Sequence, residues 1–285
     1  MTSLEHMQLI RTKTETQLQE IISHTRGAMG ISVLDLTSND RFDINAEMVF
    51  PQASAIKIPV LMEVYKQAHA GKFSLTDTRR IEKQDKTSGS GILFELGDGT
   101  VQMTIHDLCI LMILISDNTA TNLLIDLVGI TNVNQTLNSL GFEQTRLQRR
   151  MMDAAASLRG DENLSTPAEG VRILELLHKG EFINRSICDD ILAILKKPKP
   201  TNLTAGLPDG TVVATKPGNI SGVATEWAIV YLKDRPYIVV IMENYGVEHD
   251  APDAMKAISQ TLHEYFARLS RATKYGAYVA PSVQR

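Results

Sequence analysis

Cysteine is scarce in this sequence: Cys109 and Cys188 are the only two among 285 residues. Neither sits in a Cys-x-x-Cys pair or beside a histidine, which excludes the common zinc and dithiol motifs, so no metal and no cofactor is expected. Long apolar runs are missing as well. The longest, residues 108–115, has eight residues, far below the ~20 that a membrane span needs. It reads as a buried helix segment, and no membrane span is expected. Basic charge is not in excess either, since 29 Lys and Arg against 33 Asp and Glu leave a net charge of -4. With no Lys/Arg-rich run interleaved with aromatics, nucleic acid is excluded as an expected partner. The glycine-rich SGSGIL at 88–93 lacks the following GK[ST] of a phosphate loop. The N-terminus is amphipathic, with Leu9, Ile10, Leu18, Ile21 and Ile22 spaced among charges. It lacks the uninterrupted apolar core of a signal peptide, so the chain is expected to be either not exported or an exported protein without its leader. The compartment and the oligomeric state stay open.

What is present is ordinary for a folded protein: 43% apolar and 22% charged residues, in a length that suits one large domain or two closely packed ones. Residues 30–36 alternate and are β-rich, and a second short strand follows the turn at Ser38-Asn39-Asp40. From about 53 to 197 the pattern is helical, with helices expected over 55–70, 104–115, 118–128, 131–140, 167–178 and 184–196. Thr104 and Thr166 read as N-caps, and Pro167 suits a first helical position. The runs TVVATKPG, ATEWAIVYL and YIVVIMEN then read as three strands, and a last helix is expected over 251–270. This order predicts an α+β fold: an antiparallel sheet flanked by both terminal helices, with an all-helical lobe inserted between the second and third strands. Residues 1–48 and 207–285 would form the sheet lobe and 49–206 the helical lobe. The cleft between two such lobes is the expected ligand site.

Three short motifs carry chemistry. Ser54-Ala55-Ile56-Lys57 is a Ser-x-x-Lys. About one such match is expected by chance in a chain this long. If it opens a helix, the lysine shares a face with the serine and can activate it, provided burial or a neighbouring cation lowers its pKa. Ser116-Asp117-Asn118 follows the apolar run and reads as a helix–helix connection, either an ordinary N-cap or a turn that aims Ser116 and Asn118 at a substrate. Lys216-Pro217-Gly218 ends a strand, either as a plain turn or as a cation that draws in a carboxylate, with the N–H of Asn219 just beyond it.

Occurring in this order and context, the three motifs, with the segments FPQASAIKIPVL and SDNTATNLLID, resemble the penicillin-recognising serine hydrolases, most closely the class A β-lactamase branch. The resemblance runs from about residue 28 to 268. It implies a β-lactamase/transpeptidase-like fold and a small-molecule substrate: a β-lactam, an acyl-D-Ala-D-Ala-like peptide or an ester. By the same resemblance Ser54 is the acylated nucleophile, Lys57 its base and Ser116 a proton relay. Asn118 would hold the substrate acylamide, and Lys216 would assist Ser116. The N–H groups of Ser54 and Asn219 would form the oxyanion hole, with Gly218 beside them. SGSGIL would border the cleft.

Three departures from the family pattern stand out. Pro217 replaces the usual Thr or Ser, and Ser221 or Thr215 is the candidate substitute for the lost hydroxyl. The Glu-x-x-x-Asn that holds the deacylating water in class A enzymes is missing from residues 149–167. Asp153 is there either a hydrogen-bonded anchor or a general base, Glu162 lies further along, Asp161-Glu162-Asn163 is expected to close the loop and cap the next helix, and Met151 and Met152 to pack under it. Lastly, Leu61 occupies the position that would pair with Cys109 in the family's disulfide, which suits a reducing compartment. Three functions therefore compete: a β-lactam-opening hydrolase with slow deacylation, a D-alanyl-D-alanine peptidase or small-ester hydrolase, and a penicillin-binding sensor without turnover. Glutaminase-type relatives, which share Ser-x-x-Lys, fit the other two motifs less well.

Overall fold

The computed structural model describes residues 3–247, 249–273 and 276–277. The chain opens with α1 (Ser3–Ser23), then β1 (Ala28–Asp35), β2 (Arg41–Ile44) and the two-residue β3 (Phe50–Pro51). A 3₁₀ turn over Ala53–Ile56 leads into α2 (Lys57–His69). Next come β4 (Thr78–Ile81), β5 (Val101–Thr104), α3 (Ile105–Leu114), α4 (Asn118–Val128), α5 (Ile130–Ser139) and α6 (Ala154–Leu158). They are followed by β6 (Leu164–Ser165), α7 (Pro167–Lys179) and α8 (Arg185–Leu195). The chain returns through β7 (Val213–Ile220), β8 (Val223–Val230) and β9 (Tyr237–Asn244) to α9 (Asp250–Leu269).

β2-β1-β9-β8-β7 form one antiparallel sheet in that order, so β7 is a free edge. The α+β architecture expected from the element order is present: terminal helices on the sheet and a largely helical segment between β2 and β7. Two short ribbons, β3 with β6 and β4 with β5, interrupt that segment.

Both faces of the sheet are buried, which is why YIVVIM reads as a continuous apolar run rather than an alternation. Tyr237, Val239 and Ile241 turn to one face, where Leu18 of α1 and Met255, Ile258, Leu262 and Phe266 of α9 cover them. Tyr237 and Phe266 stack there with ring centroids 4.2 Å apart. Ile238, Val240 and Met242 turn to the other face and join Trp227 and the core of α2, α3, α4, α7 and α8. Trp227, fully buried, is thus a core residue. No helix among the described residues is long and apolar enough to cross a membrane.

Helix ends follow local chemistry. Thr104 accepts the N–H of Asp107 and forms a capping box with it, and Thr166 accepts the N–H of Glu169 ahead of Pro167.

Candidate active site

Ser54 lies within the 3₁₀ turn, not at the start of an α-helix. This geometry favours the pair: with three residues per turn, side chains at i and i+3 eclipse, so Ser54 and Lys57 share one line along the turn. Ala53, immediately before, has φ of 42°, a left-handed conformation costly for alanine. The turn is anchored by Gln52, fully buried, whose N–H donates to Asn163 O at 2.8 Å and whose Nε2 donates to Leu164 O at 2.6 Å.

Lys57 is fully buried at the head of α2. Its Nζ lies 2.8 Å from Ser116 O, 2.9 Å from Ser116 Oγ and 3.0 Å from Asn118 Oδ1. Burial pushes its pKa down to about 7, against an upward pull from Asp117. Lys216 is also fully buried, and its Nζ donates to Ser116 Oγ at 3.2 Å. Burial first, then the charges of Lys57 and Lys199, hold its pKa well below the ordinary lysine value. The Ser116 hydroxyl therefore sits between two amines, each biased toward its neutral form.

The turn from α3 to α4 explains how Ser116 gets there. Ser116 has φ of 57°. Asp117 caps α4 through Oδ1, 2.9 Å from the N–H of Ala120, and its Oδ2 accepts from the N–H groups of Ile92 at 2.7 Å and Leu93 at 2.9 Å. The capping reading of this tripeptide is thus right for Asp117, while its two neighbours meet the lysines. Gly91 is required: its φ is 103°, and a Cβ there would overlap the Asp117 carboxylate. Asn118 donates from Nδ2 to Ser88 O at 2.9 Å, which ties the 88–93 loop to the cleft.

On the far wall, β7 carries Lys216, Pro217, Gly218 and Asn219 along the free edge. A Cβ on Gly218 would come within 2.5 Å of Ser54 N, so only glycine allows this approach. Proline fits an edge strand where its nitrogen faces away from the ladder. By the alternation of strand N–H groups, that of Asn219, two residues on, then faces away from β8 too. Thr215 does not replace the missing hydroxyl: it lies on the opposite face from Lys216, and its Oγ1 donates to Glu226 Oε1 at 3.0 Å. Ser221 is exposed in the turn between β7 and β8, outside the cleft lining.

The loop from 146 to 166 closes the cleft. Glu162 Oε2 accepts from Arg149 Nε at 3.0 Å and from its second guanidinium nitrogen at 2.8 Å, and Ser157 Oγ donates to Oε1. Asn163 does not cap the next helix, contrary to expectation; Thr166 does. Asn163 Oδ1 instead accepts the N–H groups of Gln148 at 2.8 Å and Arg149 at 3.1 Å, closing the loop. Asp153 caps α6, with Oδ1 3.0 Å from the N–H of Ala156. Met151 is buried, but Met152 does not pack under the loop: it is 57% exposed with φ of 61° and borders the cleft.

The cleft holds about 390 Å³, and its lining includes Ser54, Gly89, Ser90, Asn118, Asp153, Glu162 and Asn219. Lys57, Ser116 and Lys216 are linked to it through the hydrogen bonds above. The sequence reading missed Gln52, Arg149 and the lining role of Asn163. Only Gln52 left a signal, an amide within an otherwise apolar approach to Ser54.

A family model described as the beta-lactamase enzyme family matches residues 13–266. The chain belongs to that family. It is a class A-like serine hydrolase by this membership, as the three motifs led one to expect. The β-lactamase-family chain is 24% identical over 265 residues to an imipenem-hydrolyzing beta-lactamase of Enterobacter cloacae, covering 90% of each. Among solved structures it is similar to a beta-lactamase from Sphaerobacter thermophilus, with TM-score 0.83 and 31% identity over 89% of this chain and 97% of the other. It is also similar to a leucine-to-glutamate mutant of PBP-A in an acyl-enzyme complex with penicillin G, with TM-score 0.82 and 25% identity over 90% and 97%.

Proposed function

We propose that the protein opens β-lactam amides through an acyl-enzyme on Ser54 and releases the product slowly. The observation that carries this reading is the buried Lys57 amine, biased to its neutral form and held against Ser116 and Asn118 one 3₁₀ turn from Ser54. Ser54 Oγ bonds to the substrate carbonyl carbon, and its proton passes to Lys57 Nζ. The N–H groups of Ser54 and Asn219 hold the oxyanion. Collapse breaks the C–N bond, and the leaving nitrogen takes the Ser116 proton, which the lysines replace. Asn118 orients the acylamide, and the substrate carboxylate lies at the β7 edge beside Gly218, where its negative charge draws Lys216 back toward the protonated form.

Slow release is supported by the loop. Both carboxylate oxygens of Glu162 are already bonded, and Asp153 uses one of its own to cap α6. Glu162 is thus fully engaged, and the cap leaves Asp153 only Oδ2 to offer to water. A chromogenic cephalosporin tests this directly. The expected result is a burst of one equivalent, a mass adduct on Ser54, and a slow steady rate. Fast turnover without a burst would sink slow release; absence of both turnover and adduct would sink β-lactam chemistry.

A second reading, D-alanyl-D-alanine peptidase, is favoured by the same bonded loop carboxylates. It shares the acylation step and predicts release of D-alanine from an acyl-D-Ala-D-Ala peptide, measured by a coupled amino-acid oxidase assay.

A further inference from the structure

A second cavity of about 390 Å³ adjoins the reactive cleft. The two share Met151, Met152 and Asp153 as walls. Met152, exposed and in a left-handed conformation, is the ridge between them. The second cavity lies on the Asn118 side, because Ser88, whose carbonyl accepts the Asn118 amide, lines it too. We infer that this cavity receives the far end of an extended, amide-bearing acyl group that terminates in a carboxylate, as part of the substrate acylating Ser54. The inference rests on the acyl-enzyme reading.

The lining supports that ligand chemistry. Gln84 and Ser88 are exposed and make no side-chain hydrogen bond within the described chain, so their polar atoms are available to amides. Arg150 and Lys86 line this cavity and not the first. Arg150 pairs with Asp126 at 3.0 Å while 45% exposed, the kind of surface pair that exchanges readily for another carboxylate. Asp153 stands at the junction and disfavours an anion there. A carboxylate is therefore drawn beyond the junction toward Arg150, since Lys86 is already held by Asp98 at 2.8 Å and by the Leu96 carbonyl. The apolar side chains are confined to the methionine ridge, so an aryl group gains little from the far cavity.

Two penicillins test this: benzylpenicillin, with a short phenylacetyl group, and adipyl-penicillin, whose side chain ends in a carboxylate. Adduct formation on Ser54 is followed by intact mass. In the Gln84→Ala/Arg150→Ala double variant, the second-order acylation constant for adipyl-penicillin should fall about tenfold, the effect of losing a charge-assisted hydrogen bond. Benzylpenicillin should be unaffected. Gln84→Trp narrows the same cavity but keeps the Arg150 pair, and the same selective loss is expected. Equal losses on both probes, or no loss on either, in the two variants overturn the assignment. If neither probe forms an adduct on the unmodified protein, the acyl-enzyme reading itself has failed, a distinct result.

Discussion

Lys57 illustrates how position rather than residue type sets the protonation state of an amine. An exposed lysine is protonated at neutral pH, but burial disfavours the cation and lowers its pKa to about 7. In the proposed mechanism protonation below that value removes the proton acceptor, so acylation of Ser54 should rise as pH passes through about 7 and then level off. Stopped-flow acylation over a pH series checks this; a flat profile across neutrality argues against Lys57. Lys57→Ala should slow acylation by about 10²–10⁴-fold, the usual contribution of a positioned proton acceptor. Ser54→Ala should give no adduct at all by intact mass. Asp153→Asn should leave deacylation unchanged, because asparagine also caps a helix and Asp153 already spends an oxygen on that cap. A marked fall in deacylation would instead make Asp153 the water-activating group.

The elements differ in how legible they were. Thr104, Asp117 and Thr166 are capping residues at visible helix starts, so α3, α4 and α7 could be placed within a residue or two. The β4–β5 ribbon was hidden because TRRI exposes three of its four residues and so shows no buried alternation. α6 has only five residues and no periodicity to read. The three-motif constellation was legible because each motif is contiguous in the chain. The bonds of Glu162 to Arg149 and Ser157 were not, since they depend on how the loop folds back. At this scale Gly91→Ala should be severe. It forces a left-handed alanine and drives a methyl into the carboxylate that holds both the 88–93 loop and α4. A loss of about 2 kcal/mol or more is expected in urea unfolding, from backbone strain together with a broken buried cap. A loss near zero would mean the loop relaxes freely.

Across the whole molecule, the two cores share one sheet, with β8 and β9 contributing side chains to both. Trp227, the single tryptophan, lies where β8 meets α7, and a Cβ on Gly170 would come within 3.0 Å of its ring. Its fluorescence therefore reports the junction, while far-UV circular dichroism reports the helices. The two signals should trace one coincident urea transition. Separated midpoints would show that the helical segment melts on its own. Both cysteines are free and buried, so melting should not change on adding a reductant.

Pro217 has one more consequence, for neighbours in solution. The outer edge of β7 is a row of backbone groups to which another extended chain could attach, a common seed of aggregation. A proline in that row removes a donor, so an incoming strand cannot complete its pairing there. The residue that stands where a hydroxyl was expected thus also interrupts the donor row that a second copy would need for pairing.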